Sequence, residues 1–64
     1  MRRRWRCVVR VLLVEDESRL AETMRRGLAA EGFVVDVEHD GVAGLAAAAT
    51  GDFDVVVHAT EHPK

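Results

Sequence analysis

The 64-residue sequence lacks a second cysteine and a long apolar run, and it has little basic charge beyond its first ten residues. Because Cys7 is the only cysteine, no disulfide can form within one chain. No stretch approaches the roughly 20 apolar residues of a membrane-spanning helix, and no segment reads as a secretory signal. A single thiol without such a signal favours a reducing, cytoplasmic location and no membrane partner.

Basic charge is concentrated at the N-terminus. Five of the nine basic side chains lie in residues 1–10, and all eleven acidic side chains follow them. Residues 11–64 therefore hold four basic and eleven acidic groups, a net charge of −7. This acidic body argues against nucleic-acid binding, and only residues 1–6, with Trp5 among four arginines, are an electrostatic candidate. We predict that residues 1–6 form a basic disordered arm, a solvated tail, and that residues 7–64 form one domain.

The length limits the stability of such a domain. A chain of this size buries only about 60% of the surface that its unfolded form exposes. Ordering each residue costs about 1.5 kcal/mol, which is close to what burial returns. Since a disulfide is excluded, the chain is expected to need a metal or a partner.

An apolar run that leads directly into three acids is the central feature of the chain. Val11–Val14 is typical of a strand buried on both faces, which we predict over Cys7–Val14. In an open parallel α/β sheet, ligands bind just past the carboxyl ends of the strands. Glu15 and Asp16 fall at such an end, where a hard cation such as Mg²⁺ finds oxygen ligands.

A first helix follows the acids, with Ser18 as its predicted N-cap. Its apolar stripe consists of Leu20, Ala21, Met24, Gly27 and Leu28. Glu22 is expected to pair with Arg26 one turn later. Gly32 lies where a left-handed helix stop is needed.

A second helix is predicted from Asp40, its N-cap, to the Gly51–Asp52 pair that ends it. The residues assigned to its buried face are Val42, Leu45, Ala46 and Ala49. The glycines at 41 and 44 weaken the helix, whereas four successive alanines strengthen it but offer little side chain to pack. His39, on the turn before it, is expected at the surface.

Two further strands complete the pattern. Phe33–Val37 is interrupted by Asp36 and is expected at an edge of the sheet. Phe53–Val57 contains three consecutive valines and is typical of an interior parallel strand. The order β-α-β-α-β with right-handed connections predicts an α/β domain with parallel strand order 2-1-3 and one helix on each face.

These residues together resemble the first half of a bacterial two-component response-regulator receiver domain, of the branch that carries a winged-helix DNA-binding domain. The resemblance covers about residues 9–63 and three of the family's five β/α units, and implies a partial flavodoxin-like (receiver) fold. The matching residues are Val11–Glu17, Leu20–Ala21, Gly27–Leu28, Glu31–Phe33, Val35–Val37, Asp40–Gly41, Gly44–Leu45, Asp52–Val57 and Pro63.

In that family two acids after the first strand hold Mg²⁺, and an aspartate that ends the third strand accepts a phosphoryl group from a histidine kinase. The resemblance puts Glu15 and Asp16 at the acidic pair and Ala59 at the phosphoacceptor position. A methyl group can neither attack phosphorus nor bind a metal. Asp54 lies at the opposite end of the strand and Glu61 is out of register, so neither substitutes for the aspartate.

The threonine or serine of the fourth strand and the lysine of the fifth are also absent, as is the output domain. We therefore expect no catalytic residue, no enzymatic activity and no cofactor. Glu15 and Asp16 are expected to be solvated charges that repel each other, a vestigial site with weak Mg²⁺ binding at most.

A second candidate motif, for metal binding, lies near the end of the sequence. His58–His62 spells H-x-x-E-H, a string found in zinc proteases. That chemistry needs a helix that puts both histidines on one face, but here the string follows a strand and meets Pro63 at once. We expect no catalytic zinc site.

The resemblance also predicts a truncated sheet. A receiver orders its strands 2-1-3-4-5, so the third strand would have an unpaired edge and uncovered apolar faces. Such surfaces recruit another chain. We expect a homodimer or higher oligomer, joined through the third strand or by exchange of elements.

Four functions follow from these observations. The first is a truncated, phosphorylation-incompetent receiver related to phosphorelay signal transduction, a dimerising module that binds itself, an intact receiver or a histidine kinase. The second is an active phosphoacceptor or other enzyme, which Ala59 opposes. The third is nucleic-acid binding through residues 1–6, whose affinity would fall steeply with salt. The fourth is a gene fragment without an evolved function.

Overall fold

The computed structural model describes residues 8–59, which form five elements. These are β1 (Arg10–Val14), α1 (Ser18–Ala30), β2 (Val34–Glu38), α2 (Gly41–Ala48) and β3 (Val55–His58). The predicted β-α-β-α-β order is confirmed. The basic arm, Cys7 and the residues from 60 onward lie outside the described residues, so predictions about them are not addressed by the fold.

The three strands form one parallel sheet in the order β2-β1-β3, which confirms the predicted 2-1-3 order and the partial flavodoxin-like α/β fold. Leu12 pairs with Asp36 on one side and Val56 on the other. β1 begins at Arg10, later than predicted, although the backbone amide of Val34 already donates to the carbonyl of Val9 at 3.0 Å.

The core is built around β1. All four residues from Val11 to Val14 are buried, and Ala21 of α1 is buried with them. Successive side chains of a strand point to opposite faces, so both faces of β1 are covered. The connections from β1 to β2 and from β2 to β3 run in opposite directions across the sheet, and right-handed crossovers then place α1 and α2 on opposite faces. Neither helix is long and apolar enough to cross a membrane.

The ends of α1 are fixed by hydrogen bonds. The helix begins at Ser18, but its N-cap is Glu17, whose Oε1 accepts from the Leu20 amide at 2.9 Å, so the predicted Ser18 cap is wrong by one residue. The Glu17 carboxylate thereby satisfies one of the first-turn amides that have no partner within the helix. The predicted stop at Gly32 is confirmed, since Gly32 has φ +99°.

The predicted ion pair on α1 also has a different partner. Arg25, not Arg26, contacts Glu22: Nε and Nη2 of Arg25 lie 2.9 and 2.7 Å from the two carboxylate oxygens. The i,i+3 spacing lets the planar guanidinium meet both oxygens at once. This hydrogen bond, and the positive charges of Arg25 and Arg26, lower the pKa of the Glu22 carboxyl below its usual value.

The buried face predicted for α2 is wrong. Val42 and Leu45 are 82% and 74% exposed, whereas Gly44 is the buried residue of the helix. A Cβ on Gly44 would lie 2.6 Å from Cγ2 of Val14. The helix therefore lies so close to β1 that only its small residues fit against the sheet, and the large side chains point away.

Both outer strands are edge strands of the described sheet. β2 is an edge strand with an exposed Asp36, as predicted. β3 is also an edge strand of the described sheet, and Val55 and Val56 are 45% and 49% exposed. This agrees with the unpaired edge predicted for the third strand, although its three consecutive valines are typical of an interior strand.

Arg10, at the start of β1, contacts β2 and the segment that leads into β3. Its backbone amide donates to Asp54 Oδ2 at 2.9 Å, and its guanidinium lies 3.4 Å from Asp36 Oδ2. The same guanidinium stacks over the Phe53 ring at 5.0 Å. These contacts hold Asp54 at the end of the sheet opposite to the predicted site.

Candidate functional site

A cleft of about 190 Å³ opens at the carboxyl ends of the three strands. Each strand end contributes to its wall, and the lining residues are Val14, Asp16, His39, Asp40, Gly41, His58 and Ala59. The sheet order places the end of β1 between the other two, so Asp16 and Ala59 meet at one cavity. This is the place where an open parallel sheet binds ligands.

Glu15 is turned away from this cleft. Glu15 is 1% exposed, and its Oε2 accepts a hydrogen bond from the Glu17 amide at 2.9 Å. Its Oε1 is enclosed without a hydrogen-bond partner among the described residues. The expectation of a solvated Glu15 is therefore wrong, because the carboxylate folds back onto the turn that leads into α1. Asp16 is exposed, as expected.

His39 links the ends of β1 and β2. The ring is exposed, as predicted, but its Nδ1 lies 3.2 Å from the carbonyl oxygen of Glu15. A carbonyl can only accept, so Nδ1 is the donor in this hydrogen bond. The sequence carried no signal for this bond, which depends on the pairing of the two strands.

Asp40 lines the cleft and also caps the start of α2. Its Oδ1 accepts from the Ala43 amide at 2.7 Å, which confirms the predicted N-cap of α2. One oxygen of this carboxylate is therefore already engaged.

Ala59 stands at the end of β3 in the wall of the cleft. Its backbone amide donates to the Val14 carbonyl at 3.0 Å, so the main chain alone fixes this position beside β1. The side chain is a methyl group, and among the described residues that line the cleft, the carboxylates of Asp16 and Asp40 are the oxygen nucleophiles.

The donor set does not fit a tightly held metal ion. Among residues 8–59, no group of three or more histidine, cysteine, aspartate or glutamate side chains could hold one. Mg²⁺ needs near-octahedral oxygen ligation, and Asp16 is the one carboxylate of the predicted pair that lines the cleft. Weak Mg²⁺ binding at Glu15 and Asp16 stays a prediction, and no chemical step is assigned to it.

The histidine string is only partly within the described residues. His58 ends β3 and is exposed, whereas its predicted companions from Thr60 to Pro63 lie outside the described range. A strand end is not the helix that the zinc-protease string requires.

The chain is similar to curated transcriptional regulators. Transcriptional regulatory protein CutR of Streptomyces coelicolor is 49% identical over 49 residues, which are 77% of this chain and 23% of CutR. Transcriptional regulatory protein CusR of Escherichia coli is 41% identical over 49 residues, 77% of this chain and 22% of CusR. Transcriptional activator protein IrlR of Burkholderia pseudomallei is 41% identical over the same share of this chain and 21% of its own length.

This chain thus spans about a fifth of the length of the curated relatives that it matches. No protein-family model matches the chain. No solved structure matches it either.

Proposed function

We propose that this chain is a phosphorylation-incompetent response-regulator receiver, because it is 41–49% identical to curated transcriptional regulators over 49 residues and has the partial receiver fold. In this proposal it is a non-catalytic, cytoplasmic module of two-component signalling that acts by binding. The single observation that carries the proposal is the methyl group of Ala59 in the wall of the cleft, beside Asp16.

The chemistry of the cleft supports this proposal. Transfer of a phosphoryl group to a protein requires an oxygen or nitrogen nucleophile in line with the leaving group, and the charge that develops needs cations beside it. Position 59 offers neither nucleophile nor ligand. Asp40 holds the start of α2, and Asp54 is bonded to Arg10 at the far end of the sheet.

Phosphorylation can be tested directly on the 64-residue polypeptide. We expect no alkali-labile, hydroxylamine-sensitive label after incubation with radiolabelled acetyl phosphate and Mg²⁺, while an intact response regulator in a parallel reaction is labelled. A stoichiometric, hydroxylamine-sensitive label on this chain would show that another carboxylate accepts the group, and the proposal would be lost.

The proposed binding activity includes self-association through β3. Val55 and Val56 are about half exposed, and the outer edge of β3 has no partner strand among residues 8–59. Unpaired apolar edges pair with other chains, by strand addition or by exchange of elements. An intact receiver or a histidine kinase is the second class of partner proposed.

Sedimentation velocity of the 64-residue polypeptide at micromolar concentrations tests the self-association. We expect a dimer or larger species whose proportion rises with concentration. A compact, stable monomer over the whole range would contradict the proposal of a dimerising module and leave the phosphorylation result untouched.

A further inference from the structure

The helix α2 has a composition unlike that of a surface helix. None of its eight residues is charged, nor are Ala49 and Thr50 that follow it. The outer side of α1, by contrast, carries four charged residues: Arg19, Glu22, Arg25 and Arg26. Helices that are apolar on all sides are normally buried.

Within residues 8–59, α2 is covered on one side only. Gly44 lies against Val14, so the small residues of the helix face the sheet. The two largest side chains of the helix, Val42 and Leu45, point away from it and are the most exposed large apolar residues of the described chain. Such a surface in water favours association with another apolar surface.

A groove lies next to this exposed side. It has a volume of about 300 Å³ and is bordered by Leu45 and Ala48 of α2 and by Val56 of β3. We call Val42, Leu45, Ala46, Ala49 and this groove the α2 surface. It combines a projecting leucine with a cavity that is mostly apolar.

We infer that the α2 surface is a homotypic docking site, on which a second copy of this chain packs its own α2 about a twofold axis. A twofold interface is self-complementary, so each Leu45 enters the groove of the other copy. The body of the chain is strongly acidic, and α2 is a region where two copies meet without bringing like charges together. Its alanines and glycines also permit the helix axes to approach to about 8–10 Å.

Pairing of β3 edges does not by itself cover this surface. α2 contacts β1 and β2, so in a dimer joined edge to edge at least three strand spacings would separate the two α2 helices. At about 4.8 Å per spacing this is about 14 Å, which is too wide for direct helix packing. The inference rests on the proposed self-association and names a surface other than the β3 edge as its site.

Three variants of the 64-residue polypeptide separate these surfaces in sedimentation velocity. Leu45→Gln changes the α2 surface and Val55→Lys places a charge on the edge strand β3. Val8→Gln is the control, because Val8 is an exposed valine that belongs to neither element. We expect Leu45→Gln to weaken dimerisation on the order of a hundredfold or more, because two leucines per dimer lose their apolar contacts. Val8→Gln should leave it unchanged, and far-UV circular dichroism checks that every variant is folded.

A cross-link gives a second readout that does not depend on weakening the dimer. Ala46→Cys in a Cys7→Ser background should oxidise to a covalent homodimer, whereas Ala30→Cys at the end of α1 should not. Unchanged association of Leu45→Gln, together with loss of association in Val55→Lys, would overturn the inference and leave edge pairing in place. A wild-type chain that remains monomeric would overturn both, while the acetyl phosphate experiment still decides phosphorylation separately.

Discussion

Replacement of Gly44 by alanine tests how closely α2 packs on β1. A Cβ at this position would lie 2.6 and 2.9 Å from Cγ2 and Cγ1 of Val14. Val14 is buried on the central strand, and its branched side chain has little rotamer freedom to move aside. We therefore expect Gly44→Ala to push the helix off the sheet although alanine is the better helix former.

A matched variant isolates the size of this effect. Gly27 lies in α1 with nothing within 4 Å of its hypothetical Cβ, so Gly27→Ala gains helix propensity without a clash. Both substitutions gain up to about 1 kcal/mol of propensity. The difference between them is therefore the overpacking at Val14, about 1–3 kcal/mol. Urea unfolding followed by circular dichroism, at one fixed protein concentration, measures both free energies.

A double mutant shows whether Val14 is the cause. In a Val14→Ala background both Cγ atoms are gone, so Gly44→Ala should become neutral or stabilising. The coupling free energy between the two substitutions should be favourable and equal to the overpacking cost at Val14, about 1–3 kcal/mol. If Gly44→Ala proves as stable as Gly27→Ala, or if the coupling is zero, the close approach of α2 to β1 is refuted.

Three smaller perturbations test local features of the fold. Asp40→Ala removes the hydrogen bond to the Ala43 amide and should lower the free energy of unfolding by about 1 kcal/mol, whereas Asp40→Asn should retain most of it. Gly32→Ala puts a side chain at φ +99° and should destabilise by about 1–2 kcal/mol in the same urea assay. Arg25→Gln should raise the pKa of Glu22 toward the usual 4.5, as read by NMR titration of its side-chain carboxyl. Because the pKa of Glu22 is lowered in the folded chain, the stabilisation by this pair is complete above pH 4.5 and is lost as the pH falls through the lowered value.

The order and pairing of the strands could be predicted from the sequence because they depend on local patterns. A run of four apolar residues identified the central strand, and the interruption at Asp36 identified an edge. Gly32 and Asp40 marked helix ends through chemistry that acts within a few residues. The connection rules then left one strand order for these elements.

The orientation of α2 could not be predicted in the same way. In a helix that is apolar on every side, periodicity does not identify the face that meets the sheet. The space above β1 determines which face of α2 packs on the sheet. Gly44 fits against Val14, whereas a side chain as large as that of Leu45 would clash there. That space depends on the distance between two elements, and neither element specifies it alone.

The burial of Glu15 was missed for a related reason. Two neighbouring acids at a strand end were expected to share one environment, but the turn into α1 separates them. The Glu17 amide donates a hydrogen bond to the carboxylate of Glu15, whereas Asp16 lines the cleft. A bond from side chain to backbone over two residues has no signature beyond the presence of an acid near a helix start.

The alanine at position 59 has a consequence for the charge balance of the cleft. The backbone hydrogen bond from Ala59 to Val14 holds the end of β3 without help from the side chain, and the described lining of the cleft contains two carboxylates, Asp16 and Asp40. A third carboxylate there would be repelled by both. We therefore expect Ala59→Asp to be less stable than Ala59→Asn at pH 7, by about 1 kcal/mol at low salt and less as salt screens the charges.

Millimolar Mg²⁺ should restore the stability of the Ala59→Asp variant and leave that of Ala59→Asn unchanged, because the added carboxylate supplies the oxygen ligand that alanine lacks. Urea midpoints with and without Mg²⁺ measure both effects, and equal midpoints for the two variants under all conditions would mean that position 59 does not face the carboxylates of the cleft.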